Sequence, residues 1–182
     1  MDGMLSGGQL VTLLDNLKSP RGLCPSETAE TLFIADGKTI KEFDFQQRLV
    51  EVVAEGFKQA FDVALFAGGD LGVTDVQVHK VFVMKKEENG RYRLQNTIGT
   101  GTTGCADGPS SKAELPEPTG LCFDFNSAII CCFGGFKNGY IKLYSTVHFS
   151  CKFMAIYHVI GFLPKKSQNQ LAQAGKIHQR RL

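Results

Sequence analysis

One short stretch of this chain occurs twice, and that repetition constrains the fold more than any other feature. Leu17-Lys-Ser-Pro20-Arg-Gly22-Leu-Cys24 returns as Leu115-Pro-Glu-Pro118-Thr-Gly120-Leu-Cys122, with the core Pro-x-Gly-Leu-Cys in common. A degraded copy lies between them, Phe57-Lys-Gln-Ala60-Phe61-Asp62-Val63-Ala64, in which Ala60 replaces the proline and Asp62 the glycine. Self-similarity at a spacing of this size is the mark of repeat architectures, in which each unit buries its apolar faces only by stacking on the next.

The residues downstream of each copy identify the repeating unit. Strand-sized apolar runs come after the first copy at 31–35 and 39–45, after the second at 71–74 and 80–84, and after the third at 128–133 and 140–145. Fourth strands are predicted at 48–54 and 92–98, and none after the third copy. Leu10 to Leu14 reads as the outer strand of a further unit whose remainder is missing. Runs of strand, turn and strand at this rhythm form four-stranded antiparallel sheets, and such sheets repeated radially are propeller blades. Fourteen Phe, twenty Gly and no Trp suit short strands punctuated by turns. The predicted fold is thus all-β, a partial β-propeller of about three four-stranded blades over 10–145. Closed propellers generally have four or more blades, so the chain is expected to be a fragment, a diverged product or one part of an assembly.

Residues 146–182 read differently. Val147, Phe149, Phe153, Ile156, Tyr157 and Ile160 fall at three- and four-residue steps, which predicts an amphipathic helix that Gly161 and Pro164 end. A weaker helix is predicted from Ser167 to His178, so this region is read as a helical extension covering an exposed sheet face or edge. It ends in a basic tail with Lys165, Lys166, Lys176, Arg180 and Arg181, whereas the rest of the chain is mildly acidic. The amino terminus lacks the basic start and apolar run of an export signal, and no stretch has membrane-spanning length. Six cysteines form no C-x-x-C pair and are read as reduced apolar fillers, so the expected location is cytoplasmic, with no membrane partner.

These repeats resemble the NHL family, whose unit opens on Pro-x-Gly and an aliphatic residue and runs through a strand to an Asp and an Asn-His-Arg-Ile-like turn. Val73-Thr-Asp75-Val-Gln-Val-His79-Lys80-Val81 follows that layout. Phe33-Ile-Ala-Asp36-Gly keeps it with a shorter turn, and the third copy places Phe133 where the Asp is expected. The Gly-rich stretch from Ile98 to Pro118 also resembles the approach to many NHL repeats. Its Gly99-x-Gly101-x-x-Gly104 spells a dinucleotide fingerprint, but that fingerprint needs a helix at the glycines and Asp107-Gly108-Pro109 comes at once after them.

Catalytic signatures are missing from the sequence: no H-E-x-x-H, G-x-S-x-G or Walker loop, and no cysteine cluster with metal spacing. The four histidines are scattered at 79, 148, 158 and 178. The reading is therefore a non-enzymatic binding module without cofactor or metal. The loops leading to each first strand and the turns between second and third strands emerge on one rim. That rim is predicted to carry Lys18, Arg21, Lys38, Lys58, His79, Lys80, Lys137 and Asn138, with the acidic Asp15, Asp36, Asp75, Glu114 and Glu117 nearby. The resemblance implies a protein or RNA partner there, with Arg21, Lys38, His79, Lys80, Lys137 and Asn138 as binding candidates. A protein partner is the first expectation and RNA the alternative, with Phe61 and Phe136 as candidate stacking residues. Self-association completing the ring is a further expectation. A metal-dependent propeller lyase or hydrolase is the least favoured reading.

Overall fold

The computed structural model describes residues 10–66, 68–124, 129–134 and 140–144. Six strands form one antiparallel sheet in sequence order: β1 (Pro20–Pro25), β2 (Thr31–Asp44), β3 (Leu49–Leu65), β4 (Leu71–Asp75), β5 (Lys80–Lys86) and β6 (Tyr92–Ile98). A second sheet holds β7 (Pro118–Asp124), β8 (Ile129–Gly134) and β9 (Tyr140–Tyr144), also antiparallel and in sequence order. All of these strands belong to one compact unit, Met1–Thr146.

Two of the strands are longer than the sequence predicts because each joins two predicted ones. β2 doubles back on itself: the Phe45 amide donates to the Glu30 carbonyl at 3.1 Å, and the Thr31 hydroxyl reaches Glu42 at 2.7 Å. The reversal is at Gly37, whose φ of 64° suits the first central position of a tight hairpin turn, where a side chain would be strained. Residues 31–36 and 39–44 are therefore the two neighbouring strands that the hydrophobic runs indicated. β3 begins as the partner of 39–44 and ends as the partner of β4, with a register shift between Ala60 and Asp62. It serves as the outer strand of the first blade and the inner strand of the second. Two four-stranded antiparallel blades result, and after them comes a sheet with three described strands.

The blades hold together by alternation. Leu71 and Val73 on β4 face the first blade and join Phe33, Ala35, Ile40, Val53, Phe57 and Tyr92 in one buried cluster. Phe33 and Tyr92 meet edge to face with ring centroids 6.0 Å apart. The intervening Gly72 faces the third sheet, where an added Cβ would overlap the Phe123 ring and lie 2.9 Å from Leu121. Leu121 sits in the second cluster with Ala64, Val81, Ile98 and Leu115. A strand with period-two side chains can serve both neighbours in this way, which is how a sheet buries both faces.

Two expectations need correction. Residues 10–14 form no strand: strand geometry needs a neighbour to satisfy its backbone groups, and none of the described strands pairs with them. The position equivalent to Asp36 and Asp75 in the third copy is Gly134, which stands opposite Pro118 as Asp36 stands opposite Pro20, so Phe133 is one residue out of step. The interval from the entry residue to its opposite is 15 residues in the second copy, Ala60 to Asp75, and 16 in the first and third, so counting from the second copy lands on Phe133. The Gly-rich stretch 99–117 holds no helix, as Asp107-Gly108-Pro109 indicates, and folds as turns, with Gly99 and Gly101 at φ 106° and 90°. The predicted helical extension, 146–182, lies outside the described residues.

Candidate functional site

The rim is built around two carboxylates that face inward. Asp36, at the end of the first half of β2, accepts the amides of Lys18 at 3.2 Å and Ser19 at 2.6 Å and the Lys41 ammonium at 2.6 Å. Asp75, at the end of β4, accepts the amides of Lys58 at 2.7 Å, Gln59 at 3.1 Å and Gln77 at 3.1 Å. Each carboxylate thus pins the segment leading into its own blade to the turn just after it. Both are buried, Asp36 at 2% exposure and Asp75 fully. Burial alone would push the Asp36 carboxyl up, but the hydrogen bond from Lys41 and the amides of Ser19 and Lys18 outweigh it and hold it below the usual carboxylate range.

This arrangement decides which charges face a partner. Lys18, Arg21, Lys38 and Lys58 are exposed and Lys80 is half-buried, while the aspartates between them are occupied below. Lys41 is the residue missed from sequence. It falls on the same strand as Asp36, five residues on, and only the hairpin at Gly37 brings the two side chains together.

The predicted site residues divide by role. Lys38 occupies the turn after Gly37, and Lys80 opens β5, where its side chain runs against Gly101 of the Gly-rich loop. Arg21 lies over the Phe61 ring at 4.7 Å from its centroid, a cation–π contact between β1 and β3. His79 has both ring nitrogens engaged: Nδ1 accepts the Glu117 amide at 3.1 Å, and Nε2 lies 2.9 Å from the Thr103 hydroxyl. Accepting at Nδ1 places the proton on Nε2. Lys137, Asn138 and Phe136 lie outside the described residues.

A third carboxylate, the half-buried Asp62, lies on β3 where the inner strands β1, β3 and β7 approach one another. It accepts the Leu121 amide of β7 at 2.9 Å and the Val63 amide at 2.9 Å, and its own amide donates to the Thr74 hydroxyl at 2.9 Å. An added Cβ at Gly22 of β1 would collide with its side chain and lie 2.5 Å from its Cα. Burial pushes the Asp62 carboxyl up, against the hydrogen bonds from Leu121 and Val63 that pull it down. Cys24 beside it is also raised, chiefly by burial, with a smaller contribution from the Asp62 charge. The replacement of glycine by Asp62 was visible in the sequence as a departure from the repeat, and its link to Leu121 gives that departure a purpose.

Among the described residues, no three His, Cys, Asp or Glu side chains converge to hold a metal ion. A shallow cavity of about 440 Å³ lies at the opposite end of the blades, between Glu42 and Glu51 of the first and Asn89 and Arg91 of the second, and gathers none of the rim residues.

No protein-family model and no curated protein sequence matches the chain. Solved structures do. A protein assigned as a gluconolactonase superposes with a TM-score of 0.58 at 14% identity, over 74% of this chain and 49% of that one. The fold is that of a β-propeller. A propeller of unknown function from Bacteroides thetaiotaomicron matches with a TM-score of 0.55 at 16% identity, covering 68% of this chain and 32% of its own. Hydrazine synthase of Kuenenia stuttgartiensis matches at 0.51 and 21% identity, over 79% of this chain and 36% of that one. The chain thus spans about half or less of the length of these three structures.

Proposed function

We propose that this propeller is a non-enzymatic binding module, related in layout to NHL repeats, that holds a protein partner with an acidic surface on its rim. The observation that carries this reading is the fate of the rim aspartates. Asp36 and Asp75 spend their lone pairs on backbone amides and Lys41, whereas Lys18, Lys38 and Lys58 extend into solvent and exposed Arg21 lies over Phe61. Exposed cations of one sign on a rigid frame steer an anionic partner and set its orientation. Loops carried on a packed sheet scaffold are where binding residues commonly lie.

The test is site-specific photocrosslinking in cell extract, with the reactive group placed at position 38 or 58 and, as control, at exposed Arg93 on the outer strand β6. Crosslinked protein recovered from the rim positions, and lost when Lys18, Lys38 and Lys58 are reversed to Glu, is the expected result. Equal recovery from Arg93 would count against the rim.

A second reading, an RNA partner, draws on Arg21 stacked over Phe61, since an aromatic and a guanidinium in contact offer a platform for a base. It requires RNA crosslinking that falls on Arg21→Glu with Lys80→Glu and an affinity that drops steeply with salt. The enzymatic reading, a metal-dependent propeller hydrolase, draws on the likeness to the protein assigned as a gluconolactonase. Calorimetric titration with zinc and calcium tests it directly.

A further inference from the structure

The segment leading into the first blade is repeated, forty residues on, by the one leading into the second. Asn16 and Gly56 both hold left-handed backbones, with φ of 62° and 97°. The amides of Lys18 and Ser19 go to Asp36, as those of Lys58 and Gln59 go to Asp75. Pro20 and Ala60 then stand opposite those aspartates. Carried back by the same offset, residues 50–54 fall on residues 10–14, Leu-Val-Thr-Leu-Leu. Residues 50–54 are the outer strand of the first blade, so 10–14 stand at an outer-strand position. They are unpaired among the described strands, and Leu10, Val11 and Leu13 are 101%, 60% and 49% exposed. Apolar side chains in a β-prone run do not gain from that exposure.

Among the described strands, the complementary place is in the third sheet. The first and second blades have four strands each, whereas the described part of the third ends at β9, paired to β8 along one edge. The sequence after Tyr144 carries the three- and four-residue apolar spacing of a helix rather than strand alternation. Residues 10–14 cannot reach that edge in their own chain. The second blade shares one core cluster with the first and another with the third, so two face-to-face sheet spacings of about 10 Å each lie between. With Lys18 and Ser19 held by Asp36, only residues 15–17 are left to bridge them, about 10 Å fully extended.

We propose that residues 10–14 are donated to a second copy of this chain, where they pair with the outer edge of β9 and complete the third blade. Exchange in both directions closes the pair about a two-fold axis, and the backbone supplies the pairing as in other strand additions. The strand count agrees, since the described third sheet has three strands where the other blades have four, and one donated strand makes up the difference.

The experiment uses two differently tagged full-length chains, one carrying Thr12→Cys and the other Lys142→Cys, mixed and treated with a short bis-maleimide against a wild-type background control. The expected product joins the two tags, and the wild-type protein sediments as a dimer. Val11→Pro removes a backbone donor from the donated strand and weakens dimerisation at least tenfold. Val11 is exposed, so the melting of the dissociated chain stays unchanged, which separates lost pairing from lost folding. Sedimentation as a monomer throughout the micromolar range would overturn the proposal. So would a dimer indifferent to Val11→Pro, or a crosslink formed only within one chain.

Discussion

His79 Nδ1 accepts the amide of Glu117 at 3.1 Å, and the bond does for the third blade what an aspartate does for the other two. The amides one and two residues ahead of Pro20 and Ala60 are bound by Asp36 and Asp75. Ahead of Pro118 the second of those amides is missing, because residue 116 is a proline, and the strand end opposite is Gly134. One amide remains, and a ring nitrogen from the turn of the preceding blade takes it. Both residues hold left-handed backbones, His79 at φ 53° and Glu117 at φ 49°, a conformation that costs a side-chain-bearing residue about 1–2 kcal/mol.

Substituting His79 should therefore release the third blade from the second. His79→Ala is expected to lower stability by about 1–3 kcal/mol, the cost of leaving a partly buried amide without its acceptor, and to speed hydrogen exchange at Glu117 selectively. His79→Gly loses the same bond but accepts φ 53° without strain, so it should be less damaging than the alanine by about 1 kcal/mol. Urea midpoints of the two variants give the comparison. An alanine variant as stable as the glycine variant would show that the turn carries no strain there.

Asp36 and Asp62 should give the chain opposite responses to pH. Asp36 is held low in the folded state, so its contribution is present above the ordinary aspartate value and is lost as pH falls through the lowered one. Asp62 is raised, so the folded state binds its proton more tightly than the unfolded chain does. Its contribution is present below the ordinary value and is lost as pH rises through the raised one. Asp36→Asn should flatten the acid limb of a stability–pH profile, and Asp62→Asn should remove the decline on the other side. Thermal melts across the acid range, wild type against each variant, read both slopes.

Much of this fold was legible because its signals are local. The Pro-x-Gly copies mark β1 and β7, and Asp36 and Asp75 occupy corresponding strand ends. The illegible part depends on partners distant in sequence. Asp62 reads as a damaged glycine until the Leu121 amide, 59 residues away, is seen to need it. His79 reads as an exposed rim residue until the Gly-rich loop folds back to place Thr103 and Glu117 against its ring. Gly134 was missed by one position because the second copy, Ala60 to Asp75, is one residue shorter than the first and third, and a sequence pattern does not say which interval the third copy follows.

Gly22 is the position where the smallest change should do the most harm. An added Cβ would lie 2.5 Å from the Asp62 Cα and 2.9 Å from the Phe61 carbonyl oxygen. Both are backbone atoms, so the clash is relieved only by moving β1 away from β3. Gly22→Ala should cost about 1–3 kcal/mol, in the range of overpacked cores, and Gly22→Val more. Displacement of β1 also lifts Arg21 from Phe61, so tryptic cleavage after Arg21 should quicken in proportion. A Gly22→Ala variant with wild-type melting would mean that the inner strands are not packed at this distance.

The rim lysines should behave in the opposite way, altering binding without altering the fold. Lys18, Lys38 and Lys58 are exposed, and among the described contacts their side chains form no ion pair. Surface substitutions of this kind usually change stability by no more than about 0.5 kcal/mol. The triple reversal to Glu should therefore melt with the wild type while losing the acidic partner, mostly through slower association that wild-type protein shows only at high salt. Lys41→Ala is the contrasting variant: it leaves the exposed rim charge in place but strips the buried Asp36 of its counter-ion. It should cost about 3–5 kcal/mol, the penalty for breaking a buried pair, less whatever the amides of Lys18 and Ser19 retain. Measured side by side by calorimetry and partner capture, the two variants separate the charges that recognise a partner from those that hold the rim together.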